Sequence, residues 1–273
     1  MKNDIDPDGY FDRIGYTGAR RPTVEVLHAL TAAHAQSIPF ENIDVLLRRP
    51  IRLEPAALYR KLVLDRRGGY CFEQNGLLLE VLRQLGFDVR PLGARVRLAA
   101  PDRGVIPGRT HMLLEVRVEG TRWLTDVGVG AATLTRALRF EADREQSTPH
   151  DVRRLQHVGE RWFHQVRHGG EWIDVYEFTE GDLPLADRKI ASWYTSTCPD
   201  SHFHSELTVA LALPGGRRAT LKDGVFTLRA ADGTATGHQL RDHAELLQVL
   251  REEFGIALAA GTRLDVAGIP VAA

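Results

Sequence analysis

Residues 110 to 127 carry the pattern that most restricts how this chain can fold. Apolar residues alternate at positions 112, 114, 116 and 118, which predicts a half-buried strand with His111 on the opposite face. Glu119-Gly120 is typical of a two-residue hairpin turn, and positions 121 to 127 predict the returning strand. The segment therefore predicts an antiparallel hairpin whose register can be worked out.

The register of this hairpin brings an imidazole and a carboxylate together. If Val118 pairs with Thr121, Asp126 lies opposite Leu113, and His111 is two positions from Leu113 on the same face. Diagonal neighbours of this kind have Cβ atoms within about 7–8 Å, which is close enough for a carboxylate to reach an imidazole. We therefore expect Asp126 to contact His111, provided that no bulge shifts the register.

A cysteine stands where a helix is predicted to begin. Cys71 lies in Arg-Gly-Gly-Tyr-Cys-Phe-Glu-Gln-Asn at positions 67 to 75, and apolar residues at 78, 81, 82 and 85 follow with helical spacing, ending before Gly86. Gly68 and Gly69 allow a tight turn into the helix. A helix N-terminus and nearby cations favour a thiolate, although an intracellular cysteine is more often a small buried apolar residue.

A thiol, an imidazole and a carboxylate are the parts of a nucleophilic triad. We predict that Cys71 is the nucleophile, that His111 is its base and acid partner, and that Asp126 orients the imidazole.

At this point the chain resembles a known family, the arylamine N-acetyltransferases, which use acetyl-coenzyme A. The resemblance is carried by positions 67 to 75, by Thr110-His111, and by three further motifs: Pro39-Phe40-Glu41-Asn42, Asp126-Val127-Gly128-Val129-Gly130 and Trp193-Tyr194-Thr195-Ser196. These motifs occur in the family's order between residues 39 and 196.

The resemblance implies a role for each matching position. Cys71 would be acetylated by acetyl-coenzyme A and would pass the acetyl group to an arylamine, an arylhydrazine or a related amine. Four residues would line the cleft for the pantetheine arm of the co-substrate: Val96, Thr110, Gly128 and Gly130. Three would lie in the acceptor pocket: Phe40, Val129 and Phe203. Val129 departs from the family pattern, in which phenylalanine is common at that position.

The order of elements predicts an α+β fold. Residues 1–87 read as a helical bundle that carries the nucleophile, residues 88–185 as a β-barrel that carries the histidine and the aspartate, and residues 186–273 as an α/β lid. The resemblance implies the same three-part architecture, with the cysteine-protease-like core that transglutaminase-like enzymes also have.

Composition and charge indicate which classes of partner and cofactor to expect. A net charge of −1 gives no basic field for nucleic acid, and no run of residues reaches the roughly 18 apolar positions of a membrane span. The start of the chain lacks the apolar stretch of a signal peptide, so we expect a cytoplasmic protein.

Two cysteines do not indicate a disulfide framework. The pairs His164/His168 and His202/His204 lack a third ligand, so we expect no metal.

Alternatives to acetyl transfer remain open at this stage. One is an amide synthase of the same family, which releases a polyketide chain onto an aromatic amine. Another is a cysteine hydrolase, and a last one is a ligand-binding relative without activity. The sequence determines neither the physiological amine, nor the acyl preference beyond acetyl, nor the oligomeric state.

Overall fold

The computed structural model describes residues 5–100 and 102–269. Most of the helices come first, a long run of strands follows, and the last part of the chain contains both. The helices are α1 (Pro7–Ile14), α2 (Val24–Ser37), α3 (Ile43–Leu46), α4 (Pro55–Tyr59), which continues as a π-helical segment (Arg60–Leu64), α5 (Cys71–Gln84), α6 (Leu185–Thr197) and α7 (His243–Phe254). The strands are β1 (Phe40–Glu41), β2 (Asp88–Val96), β3 (His111–Val118), β4 (Thr121–Thr125), β5 (Leu138–Arg139), β6 (Gln146–Ser147), β7 (Val152–Val158), β8 (Arg161–His168), β9 (Glu171–Asp182), β10 (Thr208–Ala212), β11 (Arg218–Lys222), β12 (Val225–Arg229) and β13 (Ala235–Gln239).

The N-terminal helices begin and end at residues whose side chains favour those positions. The Asp6 carboxylate accepts hydrogen bonds from the first turn of α1, Pro7 opens that helix, and Gly15 ends it with a φ of 64°. Thr23 caps α2 in the same way. These helices pack their apolar sides around α5, which is buried along most of its length.

Strands β2 to β9 form one eight-stranded antiparallel sheet that curls into a nearly closed barrel, in the order β5-β4-β3-β2-β9-β8-β7-β6. The register predicted for the β3–β4 hairpin is confirmed: Val118 pairs with Thr121, and the pairing continues to Leu114 opposite Thr125. Asp126 follows the last pair directly. The hairpin therefore holds His111 and Asp126 at the same end of the sheet.

The prediction that β3 is half-buried is wrong. Arg117 is the one exposed residue of this strand. One face, with Met112 and Leu114, packs on the helices, and the other, with Leu113, belongs to the core of the barrel. Because the sheet curls round, the face that an open sheet would leave in water is covered as well.

A second sheet joins the N-terminal and C-terminal parts of the chain. Its order is β1-β10-β11-β12-β13, so that Phe40 in the N-terminal part pairs with Ala210 in the C-terminal part. Helix α7 contributes Leu246 and Leu250 to the apolar cluster of this region. The predicted fold class is confirmed: an α+β chain with N-terminal helices, a central barrel and a C-terminal α/β part. None of the helices in the described part has the length and apolar character needed to cross a bilayer.

Candidate active site

Cys71 is the first residue of α5, as the sequence predicts, and is 5% exposed. Its Sγ lies 3.6 Å from the carbonyl oxygen of Thr110, just before β3. The Glu73 carboxylate accepts a hydrogen bond from the backbone N–H of Tyr70 at 3.1 Å, which closes the start of the helix. The thiol therefore stands at the positive end of a buried helix and against the edge of the barrel.

The segment before Cys71 approaches its neighbours so closely that side chains would not fit. A Cβ at Gly68 would collide with the carbonyl oxygen of Pro39, and one at Gly69 would lie 2.6 Å from the Glu73 carboxylate. Arg67 anchors the segment, since its guanidinium donates to Glu41 Oε1 at 2.7 and 3.0 Å. The two glycines thus allow the sharp entry into α5 that the sequence indicated.

A buried ion-pair cluster lies beneath the start of the helix. Lys61 Nζ lies 2.7 Å from Glu73 Oε1 and 2.8 Å from Asp44 Oδ2. Arg67 lies 3.3 Å from Asp44 Oδ1. Burial raises the pKa of Glu73, although the Lys61 ammonium acts in the opposite direction. Each carboxylate here has a cationic partner, which buried charges need.

His111 and Asp126 form a direct contact, as the hairpin register predicts. His111 Nε2 lies 2.7 Å from Asp126 Oδ2, and the two side chains are 2% and 0% exposed. The other carboxylate oxygen accepts hydrogen bonds from Asn75 Nδ2 at 2.8 Å and from the backbone N–H of Gly128 at 2.9 Å. The carboxylate is therefore fixed from three sides.

The electrostatics of the pair favour an imidazolium beside a carboxylate. Burial opposes a charged His111, but the charge and hydrogen bond of Asp126, together with a hydrogen bond to the Cys71 thiol, outweigh it and raise the pKa of His111 to about 10. Burial likewise acts against a charged Asp126, yet His111, Asn75 and Gly128 lower its pKa. Both groups are thus stabilised in their charged forms.

Two residues near the predicted site carried no assigned role from the sequence. Asn75 donates to the carbonyl oxygen of Met112 at 2.7 Å as well as to Asp126, and accepts from Val127 N–H at 3.0 Å. Asn75 is one helical turn after Cys71, so the sequence already placed its side chain on the same face of α5 as the thiol. The ring of Tyr176 on β9 lies 5.1 Å from the ring of His111. No local sequence pattern predicts that β9 lies close to His111 on β3.

Two glycines after Asp126, Gly128 and Gly130, pack against Cys71 and against an aromatic ring, respectively. A Cβ at Gly128 would lie 2.7 Å from the Cα of Cys71, so this loop packs directly on the start of α5. Gly130 has a φ of 64° and lies against the ring of Phe40. Phe40 and Phe203 have ring centroids 6.1 Å apart, and Phe203 is 5.9 Å from the ring of Tyr70.

The remaining two predicted residues are Val96 and Val129. Val96 is the last residue of β2, is half-buried and pairs with Tyr176. Val129 is 8% exposed and belongs to the apolar cluster of the barrel, although it stands between Gly128 and Gly130. The structure thus brings together Cys71, Thr110, His111, Asp126 and Gly128. It also brings together Phe40, Gly130 and Phe203, in a group that reaches Tyr70, the residue before Cys71.

The arrangement places a thiol, an imidazole and a carboxylate in one buried group at the edge of the barrel. Such a set can form a thiolate–imidazolium pair, attack a carbonyl carbon and return a proton to a leaving group. Within the described ranges, no three histidine, cysteine, aspartate or glutamate side chains are grouped as a metal ion would require.

Comparisons with known proteins agree on one family. The family model described as N-acetyltransferase matches residues 23–263. The arylamine N-acetyltransferase of Mycolicibacterium smegmatis is 42% identical over 273 residues, covering 98% of this chain and 96% of that protein. The solved structure of the arylamine N-acetyltransferase from Salmonella typhimurium has a TM-score of 0.89 at 39% identity, covering 97% of this chain and 95% of that one.

A further solved structure of a similar protein contains bound CoA. It is the arylamine N-acetyltransferase of Mycobacterium marinum in complex with CoA, with a TM-score of 0.88 at 39% identity, covering 92% of this chain and 93% of that one. The match of the family model, the sequence identity and the shared fold all extend over nearly the whole length. The chain therefore belongs to the arylamine N-acetyltransferase family.

Proposed function

We propose that this protein transfers an acetyl group from acetyl-CoA to the nitrogen of an arylamine, an arylhydrazine or a related amine, through an acetyl-cysteine on Cys71. The observation that carries the proposal is the buried position of Cys71 at the start of α5, against the carbonyl oxygen of Thr110, the residue that directly precedes His111 of the His111–Asp126 pair. Membership of the family and the CoA complex of a relative support acetyl-CoA as the donor.

The chemistry proceeds in two half-reactions. The Cys71 thiolate attacks the thioester carbonyl of acetyl-CoA, the bond to the CoA sulfur breaks, and the departing sulfur takes the proton held by His111. The amine then attacks the acetyl-cysteine carbonyl and gives its proton to His111, and the Cys71 sulfur leaves as the thiolate. Asp126 keeps the imidazole oriented in both steps.

The substrates would meet at the edge of the barrel. We assign Thr110, Gly128, Gly130 and Val96 to the pantetheine arm, and Phe40, Phe203 and Val129 to the acceptor. The contact of Thr110 with the thiol and the aromatic group around Phe40 support the two sides of this assignment. Aromatic rings give flat amines a stacking surface.

The proposal also covers the cellular compartment, the partners and the domain boundaries. We place the protein in the cytoplasm, where free thiols such as Cys71 and Cys198 persist and acetyl-CoA is made. We propose no nucleic-acid or membrane partner. We divide the chain at residues 1–87, 88–185 and 186–273, so that the nucleophile and its two partners come from different parts.

The test is to detect the intermediate. Incubation with acetyl-CoA alone should add one acetyl mass to the peptide that contains Cys71, and initial-rate plots with an aniline should be parallel. Cys71→Ala should abolish both acetylation and transfer. Cys198→Ala is the matched control, because Cys198 is the other free thiol, and it should retain both. Intersecting plots with an unmodified Cys71 would exclude the covalent route.

A further inference from the structure

Asn42 stands at the start of α3, but its side chain bonds to a different part of the chain. An asparagine directly before a helix usually accepts a hydrogen bond from a backbone N–H of the first turn. Here the N–H of Ile43 donates to the Glu41 carboxylate instead, at 2.7 Å. The amide of Asn42 is therefore available for contacts outside its own helix.

The Asn42 amide spends its hydrogen bonds on one distant segment. Nδ2 donates to the carbonyl oxygens of Phe203 at 3.1 Å and of Glu206 at 2.7 Å, and Oδ1 accepts from the backbone N–H of Thr208 at 2.9 Å. A primary amide has two N–H donors, so both are used. Asn42 is 1% exposed, and buried groups that lose such partners are destabilising.

This contact extends the pairing of β1 with β10. Phe40 pairs with Ala210, and the register continues through the next residue, so that Asn42 comes opposite Thr208. From this point the side chain of Asn42 takes over from the backbone ladder. It ties the connection between α6 and β10 to the end of the strand that carries Phe40.

The segment that Asn42 holds carries Phe203. The ring of Phe203 is half-buried, and its centroid lies 6.1 Å from that of Phe40 and 5.9 Å from that of Tyr70. Both contacts are edge-to-face, a preferred arrangement of aromatic pairs. Tyr70 directly precedes Cys71, so an aryl group on the open side of Phe203 would lie near the nucleophile.

Other contacts fix the segment next to Phe203. His204 Nε2 lies 2.8 Å from the carbonyl oxygen of Ser196 on α6, and the Arg48 guanidinium donates to the carbonyl oxygen of His204 at 3.2 Å. Asn42, in contrast, bonds to the backbone of Phe203 itself. Of these contacts, it is the one best placed to set the position of the ring.

We propose that Asn42 is a positioning residue for the amine half-reaction, and that it acts by holding the ring of Phe203 against Phe40 and Tyr70. The inference rests on the function proposed above and on the assignment of Phe203 to the acceptor. A ring that is held in place binds a flat acceptor without the entropy cost of ordering it. Asn42 should therefore matter for acceptors with an aromatic ring, and not for the acetylation of Cys71.

The experiment compares two acceptors that share the attacking group. Phenylhydrazine and hydrazine both attack through an NH2 group bonded to nitrogen, and phenylhydrazine alone has a ring. Their kcat/KM values are measured with acetyl-CoA in the wild type, Asn42→Ala, Asn42→Asp, Phe203→Leu and the double variant Asn42→Ala/Phe203→Leu. Both acceptors are assayed on the same preparation, so the ratio of the two values does not depend on the fraction of folded enzyme.

We expect Asn42→Ala to lower the ratio, phenylhydrazine over hydrazine, about 2- to 10-fold, the range that aromatic contacts supply. Asn42→Asp should lower it as much, because a carboxylate keeps the acceptor for Thr208 and loses both donors. In the Phe203→Leu background, Asn42→Ala should change the ratio little, since the ring that Asn42 positions is gone.

Gln165→Ala is the matched control, because it also removes a buried side-chain amide, one that bonds to Arg154 and Asp174 within the barrel. It should leave the ratio unchanged. The rate of Cys71 acetylation, measured by quenched-flow mass spectrometry, should be the same in Asn42→Ala as in the wild type.

Three outcomes would overturn the inference. One is a ratio that Asn42→Ala leaves unchanged, and another is an equal fall with and without the ring of Phe203, which would show that Asn42 acts by a different route. In both cases acetylation of Cys71 still proceeds and the proposed function stands. If the wild type does not acetylate Cys71, the proposed function itself fails and this inference fails with it.

Discussion

Asn75 Nδ2 donates a hydrogen bond to Asp126 Oδ1 across 2.8 Å, and so joins the helix that begins with Cys71 to the end of the strand pair that holds His111. The same amide group also bonds to Met112 and Val127. One buried side chain thus fixes the helix, β3 and the loop after β4 relative to one another. The thiol and the imidazole–carboxylate pair come from different elements, so their alignment depends on such a link.

Asn75→Ala should therefore reduce both stability and activity. The change removes three hydrogen bonds. It takes one of its donors from Asp126 and leaves the buried N–H of Val127 without the Asn75 oxygen, and a lost partner of this kind typically costs about 1–3 kcal/mol. The free energy of unfolding from urea titration and kcat/KM with an aniline measure the two effects. Glu80→Gln, on the half-exposed side of the same helix, should leave both within error. An active, fully stable Asn75→Ala would contradict the linking role.

Asp126→Asn should abolish the charge that orients His111 while keeping the side chain's volume. By analogy with other triads, we expect kcat/KM to fall roughly 100- to 10,000-fold. Without the carboxylate, burial dominates and the pKa of His111 should drop from its raised value of about 10. NMR titration of the imidazole measures the pKa. An imidazole that titrates at the same pH in both proteins would show that Asp126 does not set its charge.

Acid should destabilise the protein through His34. This residue lies between Tyr10 Oη and Gln74 Oε1 at 2.9 and 2.7 Å, and burial lowers its pKa to about 4, although the bond to Gln74 acts against burial. In the unfolded chain a histidine titrates near ~6.5. The unfolded state therefore binds more protons between these values, and stability falls as the pH drops from about 6.5 to about 4.

His34→Gln should flatten this part of the stability profile. A histidine protonated in the unfolded chain alone contributes about 1.4 kcal/mol per pH unit, so the variant should lose about that much slope between pH ~6 and ~4.5. Urea unfolding at several pH values measures the slope. His168→Gln, an exposed position at the end of β8, is the control and should keep the wild-type slope. Parallel profiles for wild type and His34→Gln would contradict the prediction.

The sequence predicted the contacts that arise within one local unit and missed those that cross between units. The His111–Asp126 contact follows from the register of a single hairpin, because a two-residue turn fixes every pair along it. Tyr176 reaches His111 from β9, through a pairing with β2 that contains a register shift. Alternation in either strand alone carries no information on that pairing.

The pairing of β1 with β10 could not be predicted from the sequence for a similar reason. Strand β1 has two residues, which is too short for any periodicity, yet its pairing with β10 joins the N-terminal and C-terminal parts. The contact of Cys71 with Thr110 depends on how α5 packs on β3. From the residues alone it was a hypothesis, and the resemblance to a family supplied the remaining support.

Val129 provides the last prediction, because its backbone and its side chain face different surroundings. The flanking Gly128 packs on Cys71 and the flanking Gly130 on Phe40, whereas the valine side chain joins the apolar cluster of the barrel. In Val129→Phe the larger ring should therefore overpack this cluster and lower stability by about 1–3 kcal/mol. If Val129 also lines the acceptor pocket, as we propose, the ring fills space and adds a stacking surface.

We expect Val129→Phe to change the kcat/KM ratio between a small aniline and a bulky para-substituted one roughly 10- to 200-fold in favour of the small amine. Val129→Ile is the matched control, because it adds one carbon and no ring, and should change the ratio little. The rate of Cys71 acetylation shows whether the first half-reaction is intact. If Val129→Phe lowers stability and leaves both acetylation and the ratio unchanged, the side chain serves the barrel core alone, and position 129 must be removed from the acceptor pocket.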